Sequence, residues 1–79
     1  MENLKEKNVV VVIYDMVAKG YTAPITFNNV GTAKRYLKNK ITSNLEDYII
    51  FKVAEYDDVN GELIICEREI LFKGVDLIE

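Results

Sequence analysis

The chain has 79 residues and a net charge of −3, and hydrophobic residues make up 49% of it. This length leaves room for one hydrophobic core, so we expect a single domain over residues 1–79, and the apolar content is typical of a folded protein. Because the sequence has no histidine and one cysteine, it argues against histidine-based catalysis, histidine-ligated metals and internal disulfides, and we expect neither enzyme activity nor a cofactor or metal site.

The first part of the chain predicts two strands. Residues 8–15 form a β-branched run that is too short for a buried helix and is bounded by polar residues, which favours a strand covered on both faces. A connection over 16–24 ends at Pro24, and Ile25–Phe27 then reads as a short second strand. We expect the two strands to pair as an irregular hairpin.

A helix is predicted over residues 30–41, after the capping side chains of Asn28 and Asn29. Its apolar residues recur at spacings of three and four and form one stripe: Val30, Ala33, Tyr36, Leu37 and Ile41. The same spacing places Lys34, Arg35 and Lys38 on the opposite side, and we call these three residues the basic helix face. They are interpreted either as a solvated exterior or as a surface that binds phosphates or an acidic protein.

The second part of the chain predicts a hairpin. Residues 47–56 carry the longest strand pattern, in which Ile49, Phe51 and Val53 are expected to point together towards the core. Asn60 and Gly61 suit a tight reverse turn, after which residues 62–67 return antiparallel. The apolar stretch 70–78 reads as a final edge strand or as a tail docked on the core, and an exposed apolar tail would instead mark a homodimer contact.

These elements together predict an α+β fold. A small antiparallel sheet of about four strands, in the order ββαββ, is expected to be covered on one face by the amphipathic helix. The longest run of apolar residues early in the chain, 9–13, is far shorter than the roughly 18 residues of a membrane span, so we expect no membrane contact and a cytoplasmic location.

Charge is distributed unevenly along the sequence. Residues 1–42 carry seven basic and three acidic side chains, whereas residues 43–79 carry three basic and ten acidic ones. The imbalance is consistent with neutralisation inside the fold, and equally with two faces of opposite potential that serve different partners.

Several short motifs occur in a recognisable order. Tyr14-Asp15, Ala18, Tyr21 and Pro24 come first; Asn29, Gly31, Ala33 and Arg35 follow, and then Asp47-Tyr48, Glu55-Tyr56-Asp57 and Gly61. In this order and spacing the chain resembles the small nonstructural protein of gokushovirus-type microviruses, which are single-stranded-DNA phages. The resemblance implies a non-virion protein of the infected bacterial cytoplasm, commonly assigned to viral DNA synthesis or DNA binding, and implies no catalytic residue.

Two functions follow as hypotheses. In the first, Lys34, Arg35 and Lys38 contact the phosphates of single-stranded DNA while Tyr21 offers a stacking surface for a base. In the second, the acidic residues of the hairpin turn bind a basic host nuclease, or a host or viral replication protein, as a DNA mimic does; these residues are Asp57, Asp58 and Glu62.

Overall fold

Strand β1 (Asn8–Asp15) is the centre of the sheet in the computed structural model, which describes residues 8–77. Its continuous apolar run is explained by burial on both sides, since Val9 to Ile13 are all buried. Strand β4 (Tyr48–Asp57) pairs antiparallel along the whole of one edge of β1. The prediction of a central first strand is confirmed.

Two short strands share the other edge of β1. Strand β2 (Gly20–Tyr21) pairs with the end of β1, and strand β3 (Ile25–Phe27) pairs with its beginning. Between these two strands, Thr22 binds to Ile13 of β1 through two hydrogen bonds. Its side-chain oxygen accepts from the Ile13 N–H (3.1 Å), and its own N–H donates to the Ile13 carbonyl (2.9 Å). The predicted irregular hairpin is therefore present, with β2 as an additional strand.

Strand β5 (Glu62–Lys73) returns beside β4 and forms an outer edge of the sheet among the described residues. It is longer than the predicted strand over 62–67, because its pairing with β4 continues to Lys73 after two shifts of register. The predicted orientation of β4 is wrong. Ile50, not Phe51, is the fully buried residue that joins the core, while Phe51 is half-buried on the opposite face of the sheet.

Helix α1 (Val30–Lys40) begins where the Asn29 side chain accepts a hydrogen bond from the Thr32 N–H (2.8 Å). It buries Ala33 and Leu37 and packs mainly against β3 and the C-terminal turn described next, so it covers part of one sheet face. No helix within residues 8–77 has the length and apolarity needed to cross a membrane.

Two 3₁₀ turns meet beneath the helix and close the core. The first, Leu45–Asp47, leads into β4; the second, Gly74–Leu77, follows β5 and buries Leu77. Of the two alternatives for the stretch 70–78, both occur in part: residues 70–73 belong to the edge strand β5, and residues 74–77 dock on the core. The core consists of residues from all of these elements: Val9, Val11, Ile13, Phe27, Ala33, Leu37, Ile50, Phe72 and Leu77.

The fold is α+β, with a five-stranded antiparallel sheet and one α-helix in residues 8–77. The predicted order ββαββ is not confirmed, because β2 makes the order βββαββ. The predicted covering of a whole sheet face is not confirmed either, since near the hairpin turn the helix side of the sheet carries the Lys52–Glu55 ion pair (2.7 Å).

The turn between β4 and β5 gives a first testable prediction. Gly61 has φ 70°, and its N–H donates to the Asp57 carbonyl (2.7 Å). Replacing Gly61 by valine should lower the free energy of unfolding by about 1 kcal/mol or more, because a β-branched residue resists positive φ. Gly20→Val is the matched control, since open space surrounds Gly20. Equal melting temperatures for the two variants would contradict the turn assignment.

Candidate nucleic-acid interface

The basic helix face forms because α1 has a cation-rich outer side and no acidic residue in residues 30–40. Ala33 and Leu37 fix the inner side of the helix in the core, which leaves Lys34, Arg35 and Lys38 exposed. The three cations line one shallow groove of about 270 Å³ together with Gly31 and Leu77. The fold thus gathers the predicted phosphate-binding residues into one concave surface.

The end of the helix carries two further features, one of which lies outside the lining of this groove. Lys38 and Lys40 lie in the last turn, where cations complement the helix macrodipole. The ammonium of Lys40 lies 5.6 Å from the centre of the Tyr36 ring, and that ring also packs on Phe27 at 5.2 Å. Tyr36 was expected in the buried stripe, yet it is exposed, so an aromatic ring accompanies the cations on the helix.

Tyr21 does not join the basic helix face. It pairs with Tyr14 in the sheet, and Tyr14 points away from the side of Ile13, which packs under the helix. Its ring contacts the rings of Tyr14 (4.6 Å between centres) and Phe51 (6.1 Å). The structure therefore separates the predicted stacking residue from the predicted phosphate contacts by the thickness of the sheet.

Arg68 is an exposed residue beside Tyr21. The sequence pattern did not identify it as a candidate site residue. Its guanidinium donates to the Tyr21 hydroxyl (2.6 Å) and lies 5.3 Å from the centre of the Tyr21 ring and 5.0 Å from that of Phe51. The sequence carries no signal for the contact, because 47 positions separate Arg68 from Tyr21 and strand order is needed to bring them together.

The acidic residues of the hypothesised protein-binding site lie together at the β4–β5 turn, and two of them have structural partners. Asp57 accepts hydrogen bonds from the N–H groups of Val59 (3.0 Å) and Asn60 (3.2 Å) and thereby shapes the turn. Asp58 accepts a weak hydrogen bond from the Asn8 side chain (3.5 Å). Glu62 is exposed at the start of β5.

A nearby ion pair perturbs one titratable group. The hydrogen bond from Lys52 to Glu55 raises the pKa of Lys52 above its ordinary value, against the opposing effect of desolvation. Lys52 is thus engaged by Glu55 on the sheet and does not belong to the basic helix face. Within residues 8–77, no group of three or more carboxylate or thiol side chains is arranged to hold a metal ion.

Fold and surface together define a small α+β domain with a basic helix face on one side and an aromatic cluster on the other. The chain belongs to the Phage ORF5 protein family, whose model matches residues 8–77. No curated protein and no solved structure matches the chain. Membership of a phage protein family agrees with the predicted viral origin.

Proposed function

We propose that this protein is a nonstructural accessory protein of a gokushovirus-type microvirus and acts in viral single-stranded DNA synthesis by binding DNA. The observation that carries the proposal is the basic helix face, in which Lys34, Arg35 and Lys38 line one groove. Phosphates supply most of the affinity of sequence-independent binding, and three convergent cations fit a short run of a DNA backbone. The proposal includes action in the host bacterial cytoplasm and contains no catalytic step.

The separation of Tyr21 from the groove refines this proposal. DNA in the groove meets the helix cations, while Tyr21 is engaged by Arg68 on the other side of the sheet. We therefore assign phosphate contacts to Lys34, Arg35 and Lys38 and no base stacking to Tyr21. An interface dominated by phosphate contacts predicts low sequence preference and strong salt dependence.

Neutralising the groove tests the proposal. The triple variant Lys34→Gln, Arg35→Gln, Lys38→Gln should bind a fluorescent single-stranded oligonucleotide more weakly than wild type, and the slope of log K against log salt should fall by about 0.7 for each phosphate that no longer meets a cation. Fluorescence anisotropy at two or more salt concentrations measures both quantities. The fold should persist, because all three side chains point away from the core.

Two further variants sharpen the result. Lys19→Gln combined with Lys73→Gln removes exposed cations elsewhere and should change binding little. Asp57→Asn, Asp58→Asn, Glu62→Gln removes the acidic surface while keeping an acceptor oxygen at position 57 for the turn; it should leave DNA binding intact or strengthen it. Absence of wild-type binding at low salt would refute DNA binding. Capture of a basic protein that depends on the acidic set alone would favour the inhibitor or adaptor hypothesis instead.

A further inference from the structure

The sheet face opposite the helix is apolar across four strands. Strand register sets its side chains in rows, because residues that face each other in an antiparallel pair project to the same side. We call this surface the apolar sheet face, and its rows are Tyr21–Tyr14–Ile49–Lys73, Val12–Phe51–Ile70, Thr26–Val10–Ala54–Ile65 and Asn8–Tyr56–Leu63, so that apolar residues predominate and Lys73, Thr26 and Asn8 stand at row ends.

The outer strands of this face are accessible to solvent, whereas Val10, Val12 and Ala54 in its middle are buried. Leu63, Ile65 and Ile70 on the outer strand are exposed by 56%, 73% and 53%, and Tyr21 on the opposite edge is also exposed. At about 200 Å² for a fully exposed large side chain, the face presents on the order of 600 Å² of largely apolar surface. A patch of this size equals the largest found on typical monomers, and such patches often have a function.

No element that the structure describes supplies a second layer on this face. Among residues 8–77 the one α-helix packs on the other side of the sheet. A sheet that is apolar on both faces needs a packed layer on each, and residues 8–77 leave the second face without one.

The charge of the neighbouring residues limits the kind of molecule that can cover the apolar sheet face. Strands β4 and β5, which form most of the face, belong to residues 43–79, where ten acidic side chains oppose three basic ones. A polyanion such as DNA is repelled from this region, whereas an apolar partner needs no opposite charge. The only cation that contacts the described aromatic cluster on this face, Arg68, is already bonded to Tyr21.

We propose that a second copy of this chain covers the apolar sheet face, so that two sheets pack face to face about a two-fold axis. Such an interface is isologous, with the same surface on both subunits, and requires no partner beyond the chain itself. Two faces of this size bury about 1,200 Å² together, the lower limit for specific interfaces. Arginine and tyrosine are both enriched in interface cores, which suits the Arg68–Tyr21 pair.

The arrangement places both helices on the outside, where each basic helix face stays open. The dimer proposal is nevertheless independent of DNA binding, and salt separates the two. Both subunits carry a net negative charge, so raising the salt concentration screens their repulsion and should strengthen or preserve the dimer. DNA binding should weaken under the same change.

Sedimentation of the full chain tests the dimer. Wild type should sediment with twice the monomer mass of 9.1 kDa at high protein concentration. Ile65→Lys with Ile70→Lys should raise the dissociation constant by at least about tenfold, since two charges enter an apolar interface. The matched control is Val17→Lys with Val59→Lys, which adds the same charge at exposed apolar positions in turns and should remain dimeric.

A second measurement uses the wild-type protein and so does not depend on a variant that folds. In a mixture of isotope-labelled and unlabelled chains, nuclear Overhauser effects between subunits should involve the methyl groups of Leu63, Ile65 and Ile70. A monomer at high concentration and salt would overturn the proposal. So would intersubunit contacts confined to other residues, an Ile65→Lys, Ile70→Lys variant that dimerises like wild type, or single-stranded DNA that shifts these methyl signals in a monomer.

Discussion

Replacing Gly74 by alanine is expected to lower the free energy of unfolding by about 3 kcal/mol or more. A methyl group on Gly74 would overlap the carbonyl oxygen of Leu45 and would lie 3.2 Å from the carbonyl oxygen of Tyr48. Both obstacles are backbone atoms, which cannot swing aside as the end of a long side chain can. Overpacking that forces the backbone to shift typically costs about 1–3 kcal/mol and sometimes more.

The consequence extends beyond the local overlap. Gly74 begins the 3₁₀ turn that carries Leu77 into the core, next to the turn at Leu45–Asp47. A displaced chain at Gly74 also withdraws Leu77, so poorer packing of the core adds to the steric cost. A domain of this size has a stability of about 4–12 kcal/mol, and a substantial fraction of it depends on this crossing.

Urea denaturation followed by circular dichroism measures the effect. Gly20→Ala is the control, because a methyl group there meets no atom within 4 Å, and it should leave the transition midpoint nearly unchanged. A Gly74→Ala variant with the midpoint of wild type would show that the 3₁₀ turns Leu45–Asp47 and Gly74–Leu77 do not approach each other so closely.

The sequence was informative where local patterns decide structure. The β-branched run of β1, the Asn29 cap and the Asn60-Gly61 turn specified their elements correctly, and Ala33 and Leu37 of the apolar stripe are buried, whereas Val30 and Tyr36 of that stripe are exposed. Each depends on residues close together in the chain, and each has a direct physical cause in burial, capping or positive φ.

The errors arose where distant segments decide structure. Strand β2 has two residues and no periodicity to detect. The predicted orientation of β4 was wrong because an apolar run shows no alternation, so the sequence does not distinguish Ile50 from Phe51. In the fold, Ile50 belongs to the core on the helix side of the sheet. Phe51 therefore lies on the other side of the sheet, where its ring contacts Arg68.

The candidate sites divide in the same way. Lys34, Arg35 and Lys38 were found together because they lie within about one helical turn of each other, and helical spacing is readable. The grouping of Tyr21 with these cations failed because the sides of the sheet are set by β1, whose residues alternate between its two faces. The apolar sheet face could not be predicted from the sequence either, because its rows are formed by pairing between separate strands.

Replacing Leu37 by alanine should remove about 2–5 kcal/mol of stability, the range for truncating a buried leucine. Leu37 is 1% exposed and sits in the core with Val11, Ile50 and Leu77, where it is the principal attachment of the helix. The cavity cannot collapse easily, because sheet and turn backbones surround it and the helix is held at its start by the Asn29 cap.

Three variants make the measurement specific. Leu37→Met conserves volume and should cost less than about 1.5 kcal/mol, while Lys34→Ala, on the exposed side of the same helix, should be near neutral. Thermal unfolding followed by circular dichroism ranks them, with Leu37→Ala the lowest. Equal melting temperatures for Leu37→Ala and Lys34→Ala would show that the buried side of α1 is assigned wrongly. The assignment of the basic helix face depends on that buried side and would then be wrong as well.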